Sequence, residues 1–361
     1  MKVDKSDSSK KVPKPKKLPE RLGESSFPPA AVLGAFTSFV ATAFNPRPEA
    51  HAQQSAPAPL VQIDFSERQN VPNPPDLEIE YALSYTLGAA GSLHPFRHSL
   101  SGIVVDSEDC VYALGDGEVR IFDPTGDFIQ SHKAPAGTQC IAVGMESRIY
   151  YGLPGRVEIH DRRGSRLEGF SVGDGSRSAN ITAIKVCDSG ILIADAAARL
   201  IHRFDLNGKQ IGTIGIQGKN LRFMLPNRSL DFDVDAEGVI FAADSGRHRV
   251  SFWNTNGALL GHFGRFGLSN LQDFVGCCNP VNLAIASDGK IITAEKVIAR
   301  VKVFDRSGYL LALIGPEHFD PKCTHLHLAA DSKGRILAAD PVRREVKIFS
   351  VLNNHKGSKN V

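Results

Sequence analysis

One repeated phrase constrains this 361-residue chain more than any other feature: a strand-like apolar run, then Asp or Asn, two further residues and a Gly. It occurs as Asp123-Pro-Thr-Gly126, Asp161-Arg-Arg-Gly164, Asp205-Leu-Asn-Gly208, Asn254-Thr-Asn-Gly257 and Asp305-Arg-Ser-Gly308. Successive glycines stand 38, 44, 49 and 51 residues apart, the period of four-stranded propeller blades with loops of unequal length. Each phrase reads as a hairpin: the Asp or Asn side chain accepts backbone N–H bonds across the turn, and the Gly takes the positive-φ position. A second hairpin lies upstream, as at Ser287-Asp288-Gly289.

The blades written on this pattern span residues 100–132, 138–172, 180–215, 229–264, 280–315 and 325–350. The last has only three strands before the polar tail, residues 352–361. Its missing outer strand is available at the other end, because Ile79 to Leu87, followed by Gly88, has the form of the fourth strands Gln210 to Gly215 and Leu310 to Gly315. Pairing it with the last blade removes an open sheet edge. The expected fold is therefore all-β, a six-bladed β-propeller over residues 78–351 closed by an N-terminal strand that completes the last blade. The 33 Gly and 21 Pro, against 3 Met and 1 Trp, agree with short elements joined by turns.

Ahead of the ring, eight Lys and Arg residues lie within residues 1–21, the uncharged apolar run Ala30 to Phe44 follows, and then Ala50-His51-Ala52. This order describes an export signal cleaved after Ala52. The alternative is an uncleaved membrane anchor, although the run is shorter than the about 20 apolar residues of a membrane span. Both readings of residues 1–52 put the main domain outside the cytoplasm, periplasmic or secreted, and residues 53–77 read as a Pro-rich linker. Residues 1–52 hold 9 basic and 5 acidic residues, leaving 33 against 34 and a net charge of −1 for the rest. No nucleic-acid partner is expected of such a ring, and membrane contact only through an uncleaved leader.

The block Gly238-Val-Ile-Phe-Ala-Ala-Asp-Ser-Gly-Arg-His-Arg-Val-Ser-Phe252 and the run Arg300-Val-Lys-Val-Phe-Asp305 resemble NHL repeats. Gly276-Cys-Cys-Asn-Pro280, Thr293-Ala-Glu-Lys296, Gly315-Pro316, Cys323 and Asp340-Pro341 are similar to an exported bacterial subgroup of that family. The resemblance implies the six-bladed fold and export, and it implies no particular ligand. Blades one and two depart from it, with Gly115-Asp-Gly117 and Leu153-Pro-Gly155 where the acidic corner is expected.

Aligned on their inner hairpins, the blades yield a column at the start of each innermost strand: Gly102, Cys140, Ala183 with Thr182 beside it, Asp231, Asn282 and His327. That end of the inner strands surrounds the channel mouth, where propellers bind ligands. Cys140, Thr182, Asp231, Asn282 and His327 are thus the candidate ligand-binding residues; the competing reading is a mouth filled by water. Four positions earlier in blades five and six stand Cys278 and Cys323. With Cys277 and His325 they form a candidate metal or redox site suited to copper, zinc or iron. The competing reading is a Cys278–Cys323 interblade disulfide, which export favours. Adjacent Cys277 and Cys278 pair with each other only under backbone strain, and Cys110 and Cys187 read as buried filler.

The acidic corners Asp195, Asp244, Glu295 and Asp340 suggest calcium as a cofactor, but their recurrence in each blade favours a structural role, bonding the N–H groups of a neighbouring turn. Glu295-Lys296 reads as a surface salt bridge, and His202 and His248 as structural. Gly169-Phe-Ser171-Val-Gly173 matches a hydrolase elbow pattern but falls in an outer strand, where no nucleophile is presented. Catalytic residues are therefore not assigned. The function expected is a binding module for a protein, peptide or small ligand at the channel mouth and loop face. The alternatives are a metal or redox element on Cys277, Cys278 and Cys323 serving a membrane partner, and a metal-dependent lactonase- or lyase-like enzyme. Cofactors are a metal ion or none.

Overall fold

The computed structural model describes residues 77–352, apart from 174, 176, 219 and 220. The expectations for the export leader, its cleavage after Ala52, the linker up to residue 76 and the tail beyond residue 352 lie outside these residues. β1 (Tyr81–Leu87) precedes six blades. The first holds β2 (Gly102–Val105), β3 (Val111–Gly115), β4 (Glu118–Phe122) and β5 (Phe128–Lys133); the second, β6 (Cys140–Val143), β7 (Ile149–Leu153), β8 (Arg156–His160) and β9 (Arg166–Ser171). The third holds β10 (Ile181–Cys187), β11 (Gly190–Asp195), β12 (Leu200–Phe204) and β13 (Gln210–Ile214); the fourth, β14 (Phe232–Val234), β15 (Ile240–Asp244), β16 (Arg249–Trp253) and β17 (Leu259–Phe263). The fifth holds β18 (Asn282–Ile285), β19 (Ile291–Glu295), β20 (Arg300–Phe304) and β21 (Leu310–Ile314); the sixth, β22 (His327–Ala330), β23 (Ile336–Asp340) and β24 (Glu345–Val351).

Each blade is a four-stranded antiparallel sheet, and the sixth is ordered β22-β23-β24-β1. β1 pairs with β24 from Tyr81 opposite Val351 to Leu87 opposite Val346. The inner strands β2, β6, β10, β14, β18 and β22 adjoin in turn, and β22 returns to β2, so the ring is closed. The six-bladed propeller expected from the sequence is the fold observed.

The local physics is that of the repeated phrase. Asp123, Asp161, Asp205, Asn254 and Asp305 each accept two backbone N–H bonds, from residues two and four further on, at 2.8–3.0 Å. The phrase glycines all take φ between 77° and 99°, a region other residues enter only at a cost. The second strands of all six blades are buried along their whole length because neighbouring blades cover both faces. Outer strands such as β5 alternate with solvent. Six apolar clusters result, one between each pair of adjacent blades. After the outer strands, Gly88 and Gly215 let Phe96 and Phe223 fold beneath; a Cβ on either glycine would lie 2.3 Å from the ring.

The acidic corners do the expected structural work. Asp195 accepts from the N–H of Asn180, Asp244 from Met224, Glu295 from Val275 and Asp340 from Asp320, each tying the second strand to the segment entering its blade. Blade one has the same device shifted by one residue: Asp116, at φ 53°, accepts from Arg97, His98 and Ser99. Blade two replaces it with backbone bonds of Gly155 to Ala179 and Val172. The surface salt bridge expected at Glu295-Lys296 is not what forms. Glu295 is buried and pairs with Arg300 and with Lys302, at 3.1 Å from the latter, because β20 turns both cations inward beside it.

Candidate functional site: the channel mouth

Antiparallel pairing decides which residues share the mouth. A strand entering at one end leaves at the other, so the connections between blades and the turn between second and third strands all lie at the end where the inner strands begin. Cys140, Thr182, Asp231, Asn282 and His327 meet there. All five line one cavity together with Ser101 to Val104 of blade one and with Lys185, and the cavity has a volume of about 60 Å³. At about 10–15 Å³ per water, that is room for a few solvent molecules or the tip of one side chain, far below the about 300–1,000 Å³ of a pocket for a drug-sized ligand.

In half of the ring the column bonds to the next blade. The Cys140 thiol points at the Ile181 carbonyl (3.7 Å), the Thr182 hydroxyl donates to the Leu230 carbonyl (2.7 Å), and Asp231 Oδ2 accepts from Asn282 Nδ2 and the Leu283 N–H at 3.0 Å each. The sequence reading missed two participants. Lys185 Nζ lies 3.0 Å from Asp233 Oδ1, and Asp233 Oδ2 accepts from the Ile285 N–H. Both stand two residues beyond the column, on the same side of their strands. The equivalent positions elsewhere are Val104, Ala142, Ala284 and Ala329, so a charged residue there was the available signal.

Burial sets the protonation states. Asp231 is raised to about 6 by desolvation, which its two donors and Lys185 only partly offset. His327 is lowered to about 4 by burial and by His325, and is neutral at pH 7. Cys140 is pushed up to about 12 by burial and Asp231, so it remains a thiol. Lys185 is desolvated too, but Asp233 and Asp231 outweigh that and raise it. At pH 7 the mouth carries two carboxylates and one ammonium, a net negative charge. The Asn282 side chain, 6% exposed, leaves its Oδ1 buried with no hydrogen-bond partner.

Of the four candidate metal ligands, the structure brings together only Cys277 and Cys278, whose sulfurs are in contact. Cys277 is exposed, whereas Cys278 and Cys323 are buried, and all three are free thiols, so the interblade disulfide is not formed. The Cys323 sulfur points at the His325 carbonyl (3.3 Å) and is pushed up to about 12 by burial. His325 Nδ1 meets Thr324 Oγ1 at 3.3 Å. Among the described residues, the one trio of ligand atoms lying within 4.8 Å of one another is Asp106, Glu108 and Cys110. Arg162 already occupies the place of a cation there, 3.5 Å from the Cys110 sulfur and 3.8 Å from Glu108. Cys110 is buried as expected, while Cys187 is only half-buried.

No protein-family model and no curated protein sequence matches the chain. Solved structures do. A streptogramin B lyase superposes with a TM-score of 0.51 at 10% identity, over 75% of this chain and 98% of that one. A chain of a mitotic checkpoint complex gives 0.53 at 13% identity, over 79% and 96%. The WD40 β-propeller domain of Doa1 gives 0.50 at 17% identity, over 75% and 97%. Such likenesses define the class, a six-bladed β-propeller, and the fold by itself assigns no function.

Proposed function

We propose that the protein is an extracytoplasmic NHL-type propeller that binds a protein or peptide across its mouth face and seats one basic side-chain tip of that partner in the channel. The observation that carries this reading is the net-negative cavity of about 60 Å³ lined by Asp231, Asn282 and Lys185, which suits an ammonium or guanidinium and is too small for a larger body. On the surrounding rim Leu221, Phe266, Leu268, Val297 and Val342 stand exposed on connections at the mouth end, Leu268 at 76% and Val297 at 66%, among the exposed Arg199, Arg228, Arg265, Lys322 and Arg343, and exposed apolar side chains of this kind suit a docking face. The checkpoint complex among the similar structures supports a protein partner. The order of basic, apolar and Ala-x-Ala segments in residues 1–52 supports export, and the Gly276-Cys-Cys-Asn-Pro280 element supports the subgroup. The lyase-like reading has less support, since His327 and a protonated Cys140 fall short of the three ligands and open position of catalytic zinc.

The test is an array of peptides carrying a central Lys or Arg between apolar residues, against the same peptides with norleucine or Glu, titrated into the full chain by calorimetry. Lys and Arg peptides are expected to bind at least tenfold more tightly than norleucine ones, with Asp231→Ala removing the difference. Equal affinity for Lys and norleucine, or preference for Glu, refutes it.

A further inference from the structure

The connection from β17 to β18 carries Cys277 and Cys278 on the mouth rim, and the structure brings their two thiols together. Their sulfurs are 3.2 Å apart, inside van der Waals contact and about 1.2 Å from the 2.05 Å of a bonded pair. The backbone has already adopted an unusual form: Gly276 lies at φ 72° and Cys278 at φ 65°, a left-handed conformation rarely taken by residues other than Gly, Asn and Asp. What over-determines it is Asn279. Its side chain, fully buried, donates to the carbonyls of Val275 and Lys296 and accepts from the Lys296 N–H. Strain of this kind, held by its surroundings, collects at functional positions. The two thiols also differ as an exchanging pair requires, Cys277 exposed and Cys278 6% exposed.

We infer that Cys277 and Cys278 are a redox-active vicinal dithiol that closes into a disulfide by exchange with a small-molecule or protein disulfide. The exposed Cys277 thiolate attacks one sulfur of the incoming disulfide, forming a mixed disulfide and releasing the first thiolate. Cys278, having lost its proton to solvent, then attacks the Cys277 sulfur and expels the second. Two protein thiols are oxidised to one disulfide while one external disulfide is reduced to two thiols, and protons balance through solvent. Burial and the neighbouring Cys277 raise the Cys278 thiol, and Lys296 is the nearby cation that opposes them in part. The site is independent of what the channel binds, and it needs neither Cys323 nor a metal.

The full chain is treated with oxidised glutathione, denatured, alkylated and digested. Two of the six thiols are expected to be lost, with the peptide holding both cysteines lighter by two hydrogens and closed to alkylation. Cys278→Ser is expected to stop at the glutathione adduct on Cys277, whereas Cys277→Ser leaves Cys278 alkylatable; Cys323→Ser closes like the wild type. Because Cys277 is exposed, its Ser variant is expected to unfold at the wild-type temperature in reducing buffer, which separates chemistry from misfolding. A wild-type chain that retains glutathione on Cys277, or that joins Cys278 to Cys323, overturns the proposal.

Discussion

Acidification from pH 7 to 4.5 titrates two groups in the channel mouth whose effects on stability have opposite signs. Asp231 has a folded-state pKa of about 6, above its ordinary 3.8, so between those values the native protein holds a proton that the unfolded chain does not, and stability rises as pH falls. His327, at about 4 against an ordinary 6.5, does the reverse: the unfolded chain takes up the proton first, and stability falls. Integrated over this interval, each contributes at most about 2 kcal/mol, so in the wild type they cancel to within about 0.5 kcal/mol. Substitution uncovers them singly. Relative to wild type, His327→Gln should gain about 2 kcal/mol on acidification and Asp231→Asn should lose about 2 kcal/mol. The difference between the variants, about 4 kcal/mol, is nearly a thousandfold in the folding equilibrium. The assay is guanidinium unfolding at both pH values with m unchanged between proteins. Asp109, Asp116 and Asp195, all held low by their hydrogen bonds despite burial, weaken every protein equally in acid and drop out of the comparison. If both variants track the wild type, the two groups are not held in opposed states by the mouth.

Other consequences follow from the fold. Lys302, depressed to about 8 by burial despite Glu295, loses its penalty as pH rises, so the wild type should gain about 2 kcal/mol from pH 7 to 9.5 relative to Lys302→Met, read from denaturant midpoints. Gly215→Ala combines φ 105° with a 2.3 Å contact on Phe223 and should cost about 3 kcal/mol, visible as a drop in melting temperature. Deleting residues 1–87 removes β1, whose Leu87 is buried and whose pairing covers β24. A loss of about 5 kcal/mol or more, with association through the bared edge, should appear in unfolding and size-exclusion profiles; a stable monomer would contradict the closure.

The ring was legible in the sequence because its signals are local. An Asp that caps its own hairpin and a Gly at positive φ are set by neighbours two to four residues away, so five copies in register determined blade limits to within a few residues. The column was legible for the same reason, since position along an inner strand follows from its hairpin. What depended on packing between blades was not. Lys185 and Asp233 find each other across blades three and four, a contact that no spacing within one blade reveals. Glu295 looked like a surface residue because Lys296 follows it, whereas Arg300 and Lys302 reach it from the next strand. At Cys277 and Cys278 the sequence spoke only to a bond between neighbours, and both are free thiols; their 3.2 Å contact was not legible because Asn279, beside it, finds its partners at Val275 and Lys296.

The mouth also divides its labour around the ring. In blades two to four the column residue is spent on the neighbouring blade: Cys140 on Ile181, Thr182 on Leu230, Asp231 on Asn282 and Leu283. At Asn282 the relay stops, because its amide nitrogen is taken by Asp231 while its oxygen has no partner. A buried carbonyl oxygen left bare costs about 1–3 kcal/mol, which a donor reaching it from a bound partner would recover in part. The exposed Val297 and the Cys277-Cys278 rim border the same blade. Recognition is therefore expected on the side of blades five and six, and Asn282→Leu should weaken binding of Lys peptides severalfold while costing about 1–3 kcal/mol of stability, because it also removes a donor to the buried Asp231. Tighter binding by Asn282→Leu would place the acceptor, and the partner's cation, elsewhere.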